Sequence, residues 1–137
     1  LSFPINKKEI TKSILSNQKN LKKIIKIVHP IVRSRMNKFI NKNKNKKIIV
    51  LDVPLLLENK IVTKNIILIF VDAKNKEIIK NLKKRKNYNL KIIKLLKKFQ
   101  LPSNYKKKKS DFVIKNNFKI QQVQKSVKLL KMKILYK

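Results

Sequence analysis

An acid at the end of an apolar run is the residue of this chain best placed for chemistry. In Ile48-Ile49-Val50-Leu51-Asp52, four apolar residues follow a Lys-rich stretch and read as a buried strand, with Asp52 where it ends. Ligands bind at the carboxyl ends of strands in open α/β sheets, so a carboxylate there can meet a substrate. The same position also suits a turn Asp that caps the next segment. Four other side chains invite a role, each beside a plainer reading. His29 is the only histidine, and a helical His beside Pro30 also fits a packed or hydrogen-bonded structural residue. Arg85 is one of three arginines and stands at a helix end, where the macrodipole favours any cation. Lys106 opens the run Lys106-Lys107-Lys108-Lys109, and a charge run is commonly a solvated face. Asn116 follows a short apolar segment and also fits a turn.

Composition narrows what these residues can do. The 137 residues suffice for one domain with a core of its own. No apolar run reaches the roughly 18 residues a membrane span needs, and no signal peptide is visible after Leu1-Ser2-Phe3-Pro4. The chain has no cysteine, which excludes disulfides and thiolate metal sites and fits a cytoplasmic location. One His and six acids are too few for a metal cluster, so no metal-ligand set is assigned. The formal charge of +32 would suit nucleic acid, but nearly all of it is Lys, whereas base readout favours Arg. Aromatic residues are not interleaved with the basic ones as they are where bases stack. Lys, Asn and Ile make up more than half of the chain, as an AT-rich coding sequence would produce. The charge therefore reads as compositional drift, nucleic acid is not the expected partner, and small polyanions are favoured. The chain contains no glycine, so no G-x-x-x-x-G-K-[ST] phosphate loop lies within it.

The elements that would position these residues follow from periodicity. A short amphipathic helix is predicted over about 7–16, and Asn17 is a plausible N-cap for the next. That second helix shows Leu21, Ile24, Ile25 and Val28 on one face and continues to Ile40, with a kink or restart expected at Pro30. Ile66 to Val71 is apolar throughout, as in a parallel strand buried on both faces. Further helices are predicted at 75–86, capped by Asn75, at 89–99, briefly after Pro102, and at 119–135. The last would bury Ile120, Val123, Val127, Leu130 and Ile134, and Phe112-Val113-Ile114 reads as a third strand. Alternating strands and helices imply a three-layer α/β architecture without internal repeats, in one domain over 1–137.

Four segments in order resemble the dephospho-CoA kinase family. They are Leu21-x-x-Ile24-x-x-x-Val28-His29-Pro30-x-Val32, then Asp52-Val53-Pro54-Leu55-Leu56-Leu57-Glu58, then Arg85 followed by Gln100, Pro102 and Lys106, and finally Ser110-Asp111-Phe112-Val113-Ile114-x-Asn116. Together they cover nearly the whole chain. The resemblance implies a three-layer αβα, P-loop NTPase-like parallel sheet with helical substrate and lid segments, the lid being about 85–109. It implies ATP-dependent phosphorylation of the ribose 3′-hydroxyl of dephospho-CoA to give coenzyme A, with Mg²⁺ carried by the substrate phosphates. Asp52 would lie near that ribose and the Mg²⁺–phosphate site as the catalytic residue. His29, Pro54, Leu55 and Glu58 would bind dephospho-CoA, and Arg85, Gln100, Lys106 and Asn116 would bind ATP. A guanidinium at Arg85 can stack on adenine and keep its donors. A related nucleoside-monophosphate kinase and a basic nucleic-acid-binding protein are the alternatives. Oligomeric state is not specified by these residues.

The chain also departs from the family pattern. Leu96 stands where the lid usually has a second Arg, Asn81 where the preceding helix often has one, and Lys86 and Asn87 where Asp and Gly commonly follow Arg85. Phe118 replaces the glycine after the closing Asn. These changes bear on the lid's competence and not on the fold. The resemblance places a phosphate loop, its Lys and Ser/Thr, and a nearby acid before Leu1, so the chain reads as a fragment lacking its first strand and P-loop. Phosphoryl transfer depends on positioning and charge stabilisation, so these 137 residues alone are expected not to turn over ATP.

Overall fold

A computed structural model describes residues 4, 6–59 and 66–136. The order is α1 (Lys7–Ser16), α2 (Gln18–Lys42), β1 (Ile69–Asp72), α3 (Asn75–Lys83), α4 (Leu90–Lys98), α5 (Ser103–Lys108), β2 (Phe112–Lys115) and α6 (Ile120–Leu135). The fold class is α/β. The chain divides into two compact units, Leu1–Leu56 with Lys91–Lys98, and Leu57–Leu90 with Phe99–Lys137.

The first unit is helical. Asn6 caps α1 by accepting the Lys8 N–H at 2.9 Å. Asn17 serves twice: its backbone N–H closes α1 on Ser13 O, and its side chain accepts the Lys19 N–H at 2.9 Å to start α2. Asn20 Nδ2 donates back to Ser13 O at 2.9 Å, fixing the turn between two helices that pack on each other. Ile14 and Leu21 are buried near this junction, with Met36 and Leu95 further along the unit. Of the kink or restart expected at Pro30, the restart does not occur, because α2 runs through it as one element. A proline inside a helix costs about 3 kcal/mol or more and removes the bond to the carbonyl four residues earlier. Buried Leu21 and Met36 anchor the helix on either side of Pro30, and such packing overrides local propensity.

The strand expected at Ile48–Leu51 is not formed. Those residues carry no regular structure, and Val50 is 81% exposed. An apolar run becomes a strand only when a neighbour accepts its ladder, and among the described residues none does.

The second unit holds the sheet. β1 and β2 pair in parallel, Ile69 opposite Phe112 through Asp72 opposite Lys115, while α6 packs on β2 and α5 on β1. The first strand starts and ends later than the run 66–71 suggested, though the ladder is joined from Leu68, whose carbonyl accepts the N–H groups of Asp111 and Phe112. Asp111 completes this clamp by accepting the Leu68 N–H at 2.7 Å. Lys74, not Asn75, is the N-cap of α3, and α3 stops at Lys83. On α6 Leu130 is buried, but Ile120 and Val127, expected inside, are 74% and 47% exposed.

Candidate functional site

The two units contribute different groups. In the first, Asp52 follows the unpaired Ile48–Leu51 segment and is exposed, and it takes part in none of the side-chain hydrogen bonds or ion pairs described. Pro54 is exposed, and Leu55 is half-buried with a φ of 58°. A leucine in the left-handed region is strained, and such strain concentrates where a loop must hold a particular shape. His29 is half-buried and lines an open groove of about 530 Å³ along α2 with Arg33, Ser34, Asn37 and Lys38. Arg33 and Lys38, with Ser34 and Asn37 beside them, make this groove suited to an anion.

The second unit holds the remaining candidates. Glu58 Oε1 accepts from the Leu101 N–H and from Lys106 Nζ, both at 3.0 Å, and its side chain is only 8% exposed. Burial pushes this carboxyl up, but its own backbone N–H, the Lys106 ammonium and the Leu101 N–H outweigh that effect and hold it below its ordinary range. Arg85 lies in the turn after α3, its N–H donating to Leu82 O and its carbonyl accepting from Tyr88 N–H. Its guanidinium end belongs to an exposed residue, as a base-stacking role requires. Gln100 is exposed in the connection before α5. Asn116 leaves β2 with its N–H on Asp72 O at 2.7 Å, and its Oδ1 accepts the Phe118 N–H at 2.8 Å. Phe118 has a φ of 61°, so the residue standing at the family's glycine position adopts the conformation glycine favours.

Within this unit the structure brings together Glu58, Leu101 and Lys106 at one point, and Asp72, Asn116 and Lys107 near the carboxyl end of the parallel pair. Lys107 Nζ lies 3.4 Å from Asp72 Oδ2. Asp72 escaped the sequence reading, although an acid closing an apolar run was the same signal that singled out Asp52. The predicted lid is shared between units, since 91–98 cluster with the first and 85–90 and 99–109 with the second. Leu96, in place of the lid's second Arg, is 40% exposed on α4. Among the described residues no three His, Cys, Asp or Glu side chains gather to hold a metal, and no helix is long and apolar enough to cross a membrane. Magnesium keeps several waters and needs one or two carboxylates when phosphates supply the rest, so a single exposed Asp52 fits a phosphate-borne ion.

Comparison with known proteins adds what geometry alone does not. The family model for dephospho-CoA kinase matches residues 4–122. A dephospho-CoA kinase of Lactobacillus acidophilus is 28% identical over 132 residues, 95% of this chain and 66% of that protein. The enzyme of that name from the Wolbachia of Brugia malayi is 32% identical over 126 residues, 90% of this chain and 64% of its own length. That of Bartonella quintana is 26% identical over 125 residues, with 90% and 64% covered. The chain thus spans a little under two thirds of the curated relatives it matches.

Proposed function

Because this chain belongs to the dephospho-CoA kinase family, we propose that it serves ATP-dependent phosphorylation of the ribose 3′-hydroxyl of dephospho-CoA. The observation that carries this reading is the match over residues 4–122, which contains all four motifs in register. Asp52 acts on the attacking hydroxyl, its exposed carboxylate accepting the proton as the oxygen bonds to the γ-phosphorus of ATP and the bond from that phosphorus to the departing ADP breaks. The groove of His29, Arg33 and Lys38, with Pro54 and Leu55 of the following loop, receives dephospho-CoA, whose phosphates complement those cations. Arg85, Gln100, Lys106 and Asn116 receive ATP, with Arg85 against the base and Lys106 at the phosphates. Magnesium, when bound, neutralises charge on the transferring phosphate, and Asp52 and the nucleotide phosphates would hold it. The 85–109 segment works as the lid of a single dephospho-CoA kinase-like domain over 1–137, which by itself is not expected to turn over ATP. A cytoplasmic location belongs to the same reading.

Thermal protection tests it. Dephospho-CoA and MgATP should each raise the melting temperature, since a ligand at 100 times its Kd adds about 2.7 kcal/mol. Protection by neither, with tight DNA or RNA binding that falls steeply with salt, would replace the kinase reading with the nucleic-acid one.

A further inference from the structure

Four consecutive lysines, Lys106 to Lys109, open onto the same helix, yet the structure treats them differently. Lys106 is 22% exposed at its side chain and bonded to a nearly buried carboxylate. Lys107 faces Asp72 in a pair whose side chains are 49% and 37% exposed. Lys108 and Lys109 are exposed. The Lys106 backbone is held as well, its N–H on Pro102 O and its carbonyl accepting Ser110 Oγ at 2.8 Å.

We infer that Glu58 is a positioning residue for Lys106, aiming its ammonium at nucleotide phosphate, and not itself a ligand for dephospho-CoA. The inference rests on the reading of Lys106 as a phosphate contact. One oxygen, Glu58 Oε1, takes a hydrogen bond from Leu101 N–H and another from Lys106 Nζ. Leu101 immediately precedes the N-cap Pro102, and Lys106 lies within α5, so the carboxylate ties down both the entry and the body of that helix. With Oε1 already accepting two donors and the side chain 8% exposed, only Oε2 is left to meet a substrate, and it is reached through little open surface. An ammonium has three donors, and Glu58 uses one. The other two can meet a phosphate, with the side-chain entropy of a free lysine already lost.

The sign of one mutational effect separates this role from simple electrostatics. Glu58→Gln keeps an acceptor for Leu101 N–H but discards the charge that holds Lys106. Removing a negative charge beside an anion site should tighten MgATP binding, whereas losing the aim of Lys106 should weaken it. Calorimetric titration of MgATP into the full chain is expected to give roughly fivefold weaker binding for Glu58→Gln. Lys106→Gln should be at least as weak, and the double variant no weaker than Lys106→Gln alone. Equal or tighter binding by Glu58→Gln, or additive losses in the double variant, would overturn the inference while leaving the nucleotide site intact. No MgATP binding by the unaltered chain would overturn the nucleotide-site reading and this inference with it. Amide exchange guards against a folding defect. In the unaltered chain Leu101 N–H should stay protected when MgATP binds and shifts the Lys106 ammonium resonance. Release of Leu101 on binding would mean that Glu58 lets go, and the positioning role would fall.

Discussion

Asp52 and Glu58 bound one short loop and carry the same functional group in opposite circumstances. Asp52 is exposed and belongs to the helical unit, whereas Glu58 belongs to the sheet-bearing unit, 8% exposed and committed to two donors. A carboxylate available to take up a proton or meet a metal-borne phosphate must have lone pairs to spare, and Asp52 does. One whose lone pairs already hold the chain together is scaffold. A motif can therefore join an exposed, uncommitted carboxylate to a hydrogen-bonded one, and types and spacing alone do not say which is which.

Substitutions should split along that line. Asp52→Asn is expected to weaken binding of dephospho-CoA in the presence of MgATP by roughly fivefold, read by calorimetric titration. Its melting temperature should barely move, since an exposed substitution away from any buried network stays within about 0.5 kcal/mol. Glu58→Ala should reverse the pattern, losing roughly 1–3 kcal/mol in urea denaturation because Leu101 N–H and Lys106 lose their common acceptor. Glu58→Gln should fall between Ala and the unaltered chain.

The same contrast should appear against pH. The folded-state pKa of Glu58 is lowered from the ordinary 4.5, so it contributes stability that is fully present above that value. That contribution is lost as pH falls through the depressed folded value. Melting temperatures taken from pH 6 downward should therefore show a steeper acid loss in the unaltered chain than in Glu58→Gln. Asp111→Ala removes the acceptor of Leu68 N–H and should cost about 1 kcal/mol, with Asp111→Asn largely restoring it. The smallest effect expected is a gain: Phe118→Gly relieves a left-handed residue and should stabilise by up to about 1 kcal/mol in the same denaturation.

Local chemistry in the sequence led far. The bounds of α1, the capping Asn17, the helices on either side of Pro102 and the second strand of the sheet follow from short-range periodicity and capping, and the structure holds them. What escaped depends on neighbours distant along the chain. Ile48–Leu51 has a strand's composition but no ladder partner among the described residues. By local pattern the helix could restart at Pro30, yet α2 is continuous there with Leu21 and Met36 buried on either side. Ile120 at the start of α6 has the apolar type of a core residue, yet it stays 74% exposed while Leu130 later in the same helix is buried. The site divides in the same way. Asp52 was singled out because an acid at the end of an apolar run is a local pattern, though the strand that run suggested does not form. The partner of Glu58 stands 48 residues away, where no local pattern reaches. The left-handed turn at Phe118 was not read from the sequence, although a family glycine at that position was the signal for it.

The clamp that Asp111 makes on Leu68 also has a consequence in time. It joins residues 43 apart, and the Glu58–Lys106 contact joins residues 48 apart, whereas Asn20 meets Ser13 across only seven. Contacts that close long loops bear the loop entropy before any ladder bond rewards it, so the α1–α2 hairpin should form early and the parallel pair late. A bond made after the transition state leaves the refolding rate nearly untouched when it is removed, and its loss appears as faster unfolding. The acids of the second unit would then govern how long the folded chain lasts more than how quickly it is reached.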